Sequence, residues 1–113
     1  MDPEPQTLRI RRGRAWSETW AMADDENERP NLTGATASLE IFAASGTLPL
    51  VTATAVVSEA TSGDDKGTVA LSLTLSQVAE LDDIRVAHWF FQLTDSLGKV
   101  HDCDGPVWMT DAT

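Results

Sequence analysis

The sequence of 113 residues contains a single cysteine, Cys103, and no tyrosine. One cysteine excludes an intramolecular disulfide bond and a zinc site built from cysteine ligands. No arrangement of basic residues around Cys103 indicates an activated thiol. We therefore interpret its side chain as a small, partly buried apolar group rather than as a nucleophile.

Basic residues are scarce. Eight lysines and arginines stand against eighteen acidic residues, which gives a net charge of −10. This balance argues against sequence-independent binding to DNA or RNA, which depends on lysine and arginine. It favours solubility and discourages self-association through acidic faces.

Long apolar segments are also missing, so the sequence predicts neither a transmembrane helix nor a membrane partner. The first residues, Met1-Asp-Pro-Glu-Pro5, are acidic and proline-rich, unlike a secretory signal peptide. We therefore expect the protein to stay in the cytoplasm that makes it, unless a larger assembly carries it out of the cell.

The sequence has no nucleophile–base pair, no glycine-rich phosphate loop and no spacing typical of metal ligands. The acidic residues 24–28 and the pair Asp64-Asp65 match no calcium-binding loop, and we interpret them as solvated loops. On a strand, the histidine and cysteine of His101-Asp-Cys-Asp104 would face one side and the two aspartates the other. We therefore predict no catalytic, cofactor-binding or metal-binding residues, and we expect that the protein is not an enzyme.

The clearest structural pattern lies in residues 85–95, which alternate with the period of a β-strand. Ala87, Trp89, Phe91 and Leu93 fall on one apolar face. A type I turn is predicted at Asp95-Ser-Leu-Gly98, because aspartate favours the first position and glycine the last. Residues 99–103 would then run back as the partner strand of a hairpin.

Similar alternation predicts further strands along the chain. These cover residues 7–12, 15–23, 35–43, 50–57, 68–75 and 107–109. One short helix is expected from Ser76 to Asp82, with Ser76 as its N-cap. The segment Asp104-Gly-Pro106 predicts a break, and the proline places the last strand at a sheet edge.

These elements predict an all-β fold: one immunoglobulin-like antiparallel β-sandwich of seven or eight strands with one short helix. Residues 1–6 are expected to form a flexible N-terminal arm, because two prolines and two acids leave nothing to bury. Residues 7–113 would form the sandwich domain. Since the disulfide and the tyrosine corner are both missing, the likeness to immunoglobulin domains is loose.

The order of the motifs carries a family resemblance that covers nearly the whole chain. The segments that carry it are Arg12-Gly-Arg14, Trp16 and Trp20, Leu32-Thr-Gly-Ala-Thr36, Gly67-Thr-Val69, Ser76–Leu81, Phe90–Thr94, Asp95–Gly98 and Gly105. In this order they resemble the immunoglobulin-like N-terminal domain of tailed-phage baseplate upper proteins and related small virion proteins. Arg14 stands where that family often has aspartate.

The resemblance implies a non-enzymatic structural component of a tailed-phage virion that docks onto other virion proteins in the tail or baseplate. A capsid decoration (cement) protein, a neck protein, and a receptor- or carbohydrate-binding module are the alternatives. It also implies a location in the virion, with multiple copies on a symmetric particle.

Six residues are candidates for binding a partner. Four of the eight basic residues are clustered at Arg9, Arg11, Arg12 and Arg14. They would either dock onto an acidic subunit or keep a strand edge from aggregating. Phe42 and Trp108 are out of phase with the inward-facing residues beside them, so we expect both to be exposed aromatic contacts.

Overall fold

The computed structural model describes residues 8–23, 26, 28–43, 48–81 and 86–110. The predicted arm, residues 1–6, lies outside these ranges. So do Arg85 and part of the acidic loop that follows Ala23.

The described residues form seven strands and one short helix, which confirms the all-β expectation. The strands are β1 Leu8–Arg11, β2 Trp16–Ala21, β3 Thr36–Ala43, β4 Val51–Val57, β5 Thr68–Leu73, β6 Val86–Thr94 and β7 Val100–Thr110, and the helix is α1 Leu75–Ala79. They build a single sheet in the order β1-β7-β6-β3-β4-β5-β2. Its two edge strands, β1 and β2, are consecutive in the chain.

This sheet curls until it nearly closes on itself. In a flat sheet, β2 and β6 would lie about 19 Å apart, because four strand spacings of about 4.8 Å separate them. The ring centroids of Trp20 on β2 and Trp89 on β6 are nevertheless only 4.9 Å apart. The bend is at β4, whose first half pairs with β3 and whose second half pairs with β5.

Every neighbouring pair of strands is antiparallel except β1 and β7, which run parallel. The expectation of a wholly antiparallel fold is therefore wrong for this pair. Parallel neighbours need a long connection between them, and here the whole chain between residues 11 and 100 provides it.

The inner surface of the curled sheet holds one apolar core. Burial alternates along the strands, and Ala87, Trp89, Phe91 and Leu93 are all buried as predicted. Trp20 lies edge-on to Trp89 and is 5.4 Å from Phe91, measured between ring centroids. These contacts join the two halves of the sheet, so the aromatic residues of β2 and β6 fix how far the sheet closes.

The predicted β6–β7 hairpin is confirmed. The Gly98 amide donates to the Asp95 carbonyl over 3.0 Å, and Gly98 has φ 85°, which glycine adopts without strain. The Asp95 carboxylate accepts from the amides of Leu97 and Lys99 and lies 3.2 Å from His101 Nε2. These bonds hold the pKa of Asp95 below its ordinary value; the His101 contact is the main cause, and the two amides add to it.

The break predicted at Asp104-Gly-Pro106 is wrong, because β7 continues through it. The Asp95 amide bonds to the Lys99 carbonyl, so odd-numbered residues of β7 bond towards β6 and the Pro106 nitrogen points away from it. The last strand is also not at a sheet edge, because β1 pairs with residues 107–110 and β7 therefore lies between β1 and β6. This pairing begins after Pro106, so no described strand needs an N–H from it. Gly105 permits close packing: a Cβ there would lie 2.7 Å from the Trp89 ring.

The helix begins two residues earlier than predicted. Its N-cap is Thr74 rather than Ser76, because Gln77 stands three residues after Thr74 and completes a capping box. Leu75, the last residue of the predicted strand 68–75, is instead the first residue of the helix and is exposed, while Val78 and Leu81 are buried. In the described part of the chain, no helix has the length and apolar character needed to cross a membrane.

Candidate docking surface

The four clustered arginines differ in their exposure: three are exposed and one is half-buried. Arg9 and Arg11 alternate with the fully buried Leu8 and Ile10 on β1, so both point outward and are exposed. Arg14 is also exposed, in the turn that leads to β2. Arg12 differs: it is half-buried, its amide donates to the Thr110 carbonyl over 2.9 Å, and it already has a partner within the chain.

The three exposed arginines line an open groove of about 360 Å³, which we call the arginine groove. Its lining residues are Arg9, Arg11, Arg14, Ala15, Trp16 and Ser17. It lies at the turn that joins the two edge strands of the sheet, β1 and β2. Among the described residues, none offers the three guanidinium groups a hydrogen bond or an ion pair. The groove is therefore a local positive site on a protein of net charge −10.

Trp108 extends this surface onto the outer face of β7. Its side chain is 54% exposed, as predicted from its phase. It stands opposite Arg9 in the β1–β7 register, and both side chains point outward. An exposed indole and the arginine groove are thus neighbours, and tryptophan and arginine are the residues that contribute most often to protein-binding energy.

Phe42 is less exposed than predicted. It is half-buried, because its ring stacks on the imidazole of His88 with centroids 5.1 Å apart and planes within 4°. His88 in turn stands opposite Pro106 on β7. Phe42 therefore belongs to a row of rings across the outer face, and it offers a partner less surface than Trp108 does.

This outer face was missed from the sequence because a break was predicted before Val107. The signal that would have revealed it is the unbroken alternation of β7. The odd-numbered residues His101, Cys103 and Gly105 are less exposed than Asp102 and Asp104. Trp108 is even-numbered like the two aspartates, and it is exposed as they are. The two aspartates and the tryptophan therefore share one surface.

A second open groove, of about 370 Å³, lies on the outer side of β2 and β5. Its lining residues are Ser17, Glu18, Thr19, Val56, Ala70, Leu71 and Ser72. Glu18 is half-buried and accepts a 3.1 Å hydrogen bond from the Trp16 indole. Small uncharged residues provide most of this lining, so it offers few groups that would orient a ligand.

Potential metal ligands are dispersed in the part of the chain that the structure describes. No three histidine, cysteine, aspartate or glutamate side chains within the described ranges are grouped so that they could hold a metal ion. Asp24, Asp25 and Asn27 of the acidic loop lie outside those ranges. His101 is engaged with Asp95 in the hairpin instead.

No protein-family model matches this chain, and no curated protein sequence does.

Proposed function

We propose that this protein is a non-enzymatic structural domain of a tailed-phage virion. It binds other virion proteins in the tail or baseplate through the arginine groove and Trp108. The observation that carries the proposal is a set of three arginines that find no partner in the described part of a strongly acidic protein. The tail location rests on the resemblance of the motif order alone.

Charge explains why this groove suits an acidic partner. The chain has eighteen acidic and eight basic residues, yet Arg9, Arg11 and Arg14 form no ion pair with the described carboxylates. Guanidinium groups bind carboxylates through paired N–H donors, which fixes the orientation of the partner as well as its affinity. The acidic remainder of the surface repels a partner that approaches on any other face.

The strand order supports an immunoglobulin-like arrangement of the fold. Strands β3-β6-β7 lie in the order C-F-G of immunoglobulin domains, and β4-β5-β2 lie in the order D-E-B. Two features depart from that plan. Strand β1 joins β7 rather than β2, and β4 keeps three residue pairs with β3. A rigid domain of this kind presents its edge strands at fixed positions, which suits repeated docking on a symmetric particle.

Reversing the charge of the groove tests the proposal. The Arg9→Glu/Arg11→Glu variant is expected to fold as the wild type does, because both side chains are exposed. It is expected to lose stoichiometric rebinding to phage particles that lack this protein. The matched control is Lys66→Glu/Lys99→Glu, which changes the net charge equally at positions outside the groove and should rebind normally.

Rebinding is measured by sedimentation of particles with labelled protein, and folding by circular dichroism. Normal incorporation of the arginine double variant would refute docking through the groove. The position of the rebound protein in electron micrographs separates the tail from the two other virion locations, a capsid decoration protein and a neck protein.

A carbohydrate- or receptor-binding module is the second candidate, and the exposure of Trp108 is the observation that favours it. Indole faces on open strands stack against sugar rings. This alternative predicts that host glycans change the tryptophan fluorescence of the wild type but not that of a Trp108→Phe variant. It also predicts binding to host cells without binding to particles.

A further inference from the structure

We propose that the free edge of β1 receives a short, extended, acidic segment of the partner as an additional β-strand. This inference rests on the proposed docking function and specifies how the groove would be filled. The added strand would lie along the arginine groove and extend the sheet beyond β1.

The hydrogen-bond pattern of β1 leaves its outer edge open. The Arg12 amide donates to the Thr110 carbonyl over 2.9 Å, and the Thr110 hydroxyl lies 3.5 Å from the Ile10 carbonyl. Even-numbered residues of β1 therefore bond towards β7. Because backbone groups alternate in direction along a strand, the N–H and C=O groups of Arg9 and Arg11 point away from β7. No described strand pairs with that side of β1.

The edge of β2 that points away from β5 is not paired with any described strand either. The Met22 amide donates to the Gly67 carbonyl over 2.8 Å, so even-numbered residues of β2 bond towards β5. The backbone groups of Ser17 and Thr19 consequently point away from β5. Ser17 also lines the arginine groove. The groove is thus bordered by backbone groups of Arg9, Arg11 and Ser17 that no described strand pairs, which is the condition for strand addition.

The side chains of this edge specify the sequence that would bind. Arg9 and Arg11 are two residues apart on one face, so a paired strand with acidic residues at alternate positions would set a carboxylate beside each guanidinium. Arg14 lies at one end of the groove and can bind a third carboxylate of the added strand. A groove of about 360 Å³ is at the small end of ligand sites, so it suits a few residues rather than a long strand.

The same charges disfavour a second copy of this chain as the occupant. Two β1 edges in contact would place Arg9 and Arg11 against the arginines of the other copy, and like charges in facing positions destabilise a strand pair. Arginine on an edge strand thus prevents self-pairing and at the same time selects an acidic strand.

The test uses three synthetic octapeptides and the full chain labelled with ¹⁵N. The first alternates aspartate with valine. The second is the same peptide with N-methylated amides on one edge, which keeps the charge but removes the strand hydrogen bonds. The third has lysine in place of aspartate. Binding is followed by amide chemical shifts and by hydrogen exchange of individual amides.

We expect the first peptide to slow exchange of the Arg9 and Arg11 amides at least tenfold and to change the already bonded Ile10 amide much less. The N-methylated peptide should bind more weakly without that protection, and the lysine peptide should not bind. Binding of the first two peptides with equal affinity and no protection would overturn strand addition but leave charge-driven docking intact. Failure of all three to bind would also overturn it, whereas the proposed function is decided separately by rebinding of the Arg9→Glu/Arg11→Glu variant to particles.

Discussion

Gly105 lies directly beneath the indole of Trp89, at the centre of the longest strand. A Cβ at this position would lie 2.7 Å from three atoms of the ring, well inside van der Waals contact. Trp89 is fully buried, so its ring has little room to move away. A residue that a sequence pattern identifies as a strand breaker is here the one that lets a tryptophan pack against the backbone.

The Gly105→Ala variant tests this packing, because the clash predicts that alanine lowers the free energy of unfolding rather than raising it. Replacing glycine with alanine at an unstrained position stabilises a protein by about 0.4–1 kcal/mol, because the unfolded chain loses freedom. The clash with Trp89 should reverse that sign and lower the free energy of unfolding by about 1–3 kcal/mol. Urea denaturation measures the difference. A neutral or stabilised variant would mean that the indole can shift.

The sequence pattern predicted correctly which side chains of β6 are buried. It did not predict which of the clustered arginines are exposed. Alternation correctly placed Ala87, Trp89, Phe91 and Leu93 on a buried face, because burial follows strand phase. Alternation did not predict that Arg12 is half-buried whereas Arg9 and Arg11 are exposed. That difference depends on where the chain turns after β1 and on which groups lie nearby, and these are tertiary features.

Among the elements, the β6–β7 hairpin is held at its turn by the side chain of Asp95. Its carboxylate accepts two amide hydrogen bonds in the turn and contacts His101 on β7. The pKa of Asp95 lies below its ordinary value, chiefly because of the His101 contact. A carboxyl group with a lowered pKa in the folded state stabilises that state above its unfolded pKa. This stability is lost as the pH falls through the folded pKa.

The Asp95→Asn variant should therefore be less sensitive to acid than the wild type. Asparagine keeps an oxygen that can accept the turn amides but has no proton to gain. Denaturation midpoints measured from about pH 7 down to about pH 2 should differ most near neutral pH, with the wild type more stable. They should begin to converge as the pH falls below about 4, the ordinary pKa of aspartate, and meet only below the lowered pKa of Asp95 in the folded protein. A constant difference across this range would contradict the role of the charge.

Element boundaries were predicted least well where two local signals competed. At α1, Ser76 is an acceptable N-cap, but Thr74 with Gln77 three residues later forms the complete capping box. At β7, Pro106 indicated a break, and the hydrogen-bond phase that makes it acceptable depends on the register with β6. Strand type and inward face follow from local pattern, whereas boundaries depend on pairing partners.

At the scale of the whole molecule, strand alternation predicted an all-β chain but not its edges. The parallel pairing of β1 with β7 joins residues about 100 positions apart, and no local pattern specifies such a partner. This pairing nevertheless decides the candidate site, because it leaves β1 and β2 as the two ends of one curled sheet. The arginine groove lies at the turn that joins these two strands, and its lining residues all fall between Arg9 and Ser17.

Substitutions at two tryptophans, Trp20 and Trp108, test the stability of this curled sheet and its proposed function independently. Trp20 is 3% exposed and packs β2 against Trp89 and Phe91 of β6, whereas Trp108 is 54% exposed. Trp20→Ala should cost about 3–5 kcal/mol, as truncations of buried aromatic residues do. That is a large part of the stability of about 6–17 kcal/mol typical for this chain length.

Trp108→Ala should change the free energy of unfolding by no more than about 0.5 kcal/mol, because most of its ring is already in water. If Trp108 anchors the partner, the same change should weaken particle binding by about thirtyfold, which corresponds to about 2 kcal/mol. Urea denaturation and rebinding to particles measure the two effects on the same pair of variants. A Trp108→Ala protein that unfolds readily would place this ring in the core, and one that rebinds at full strength would exclude it from the docking surface.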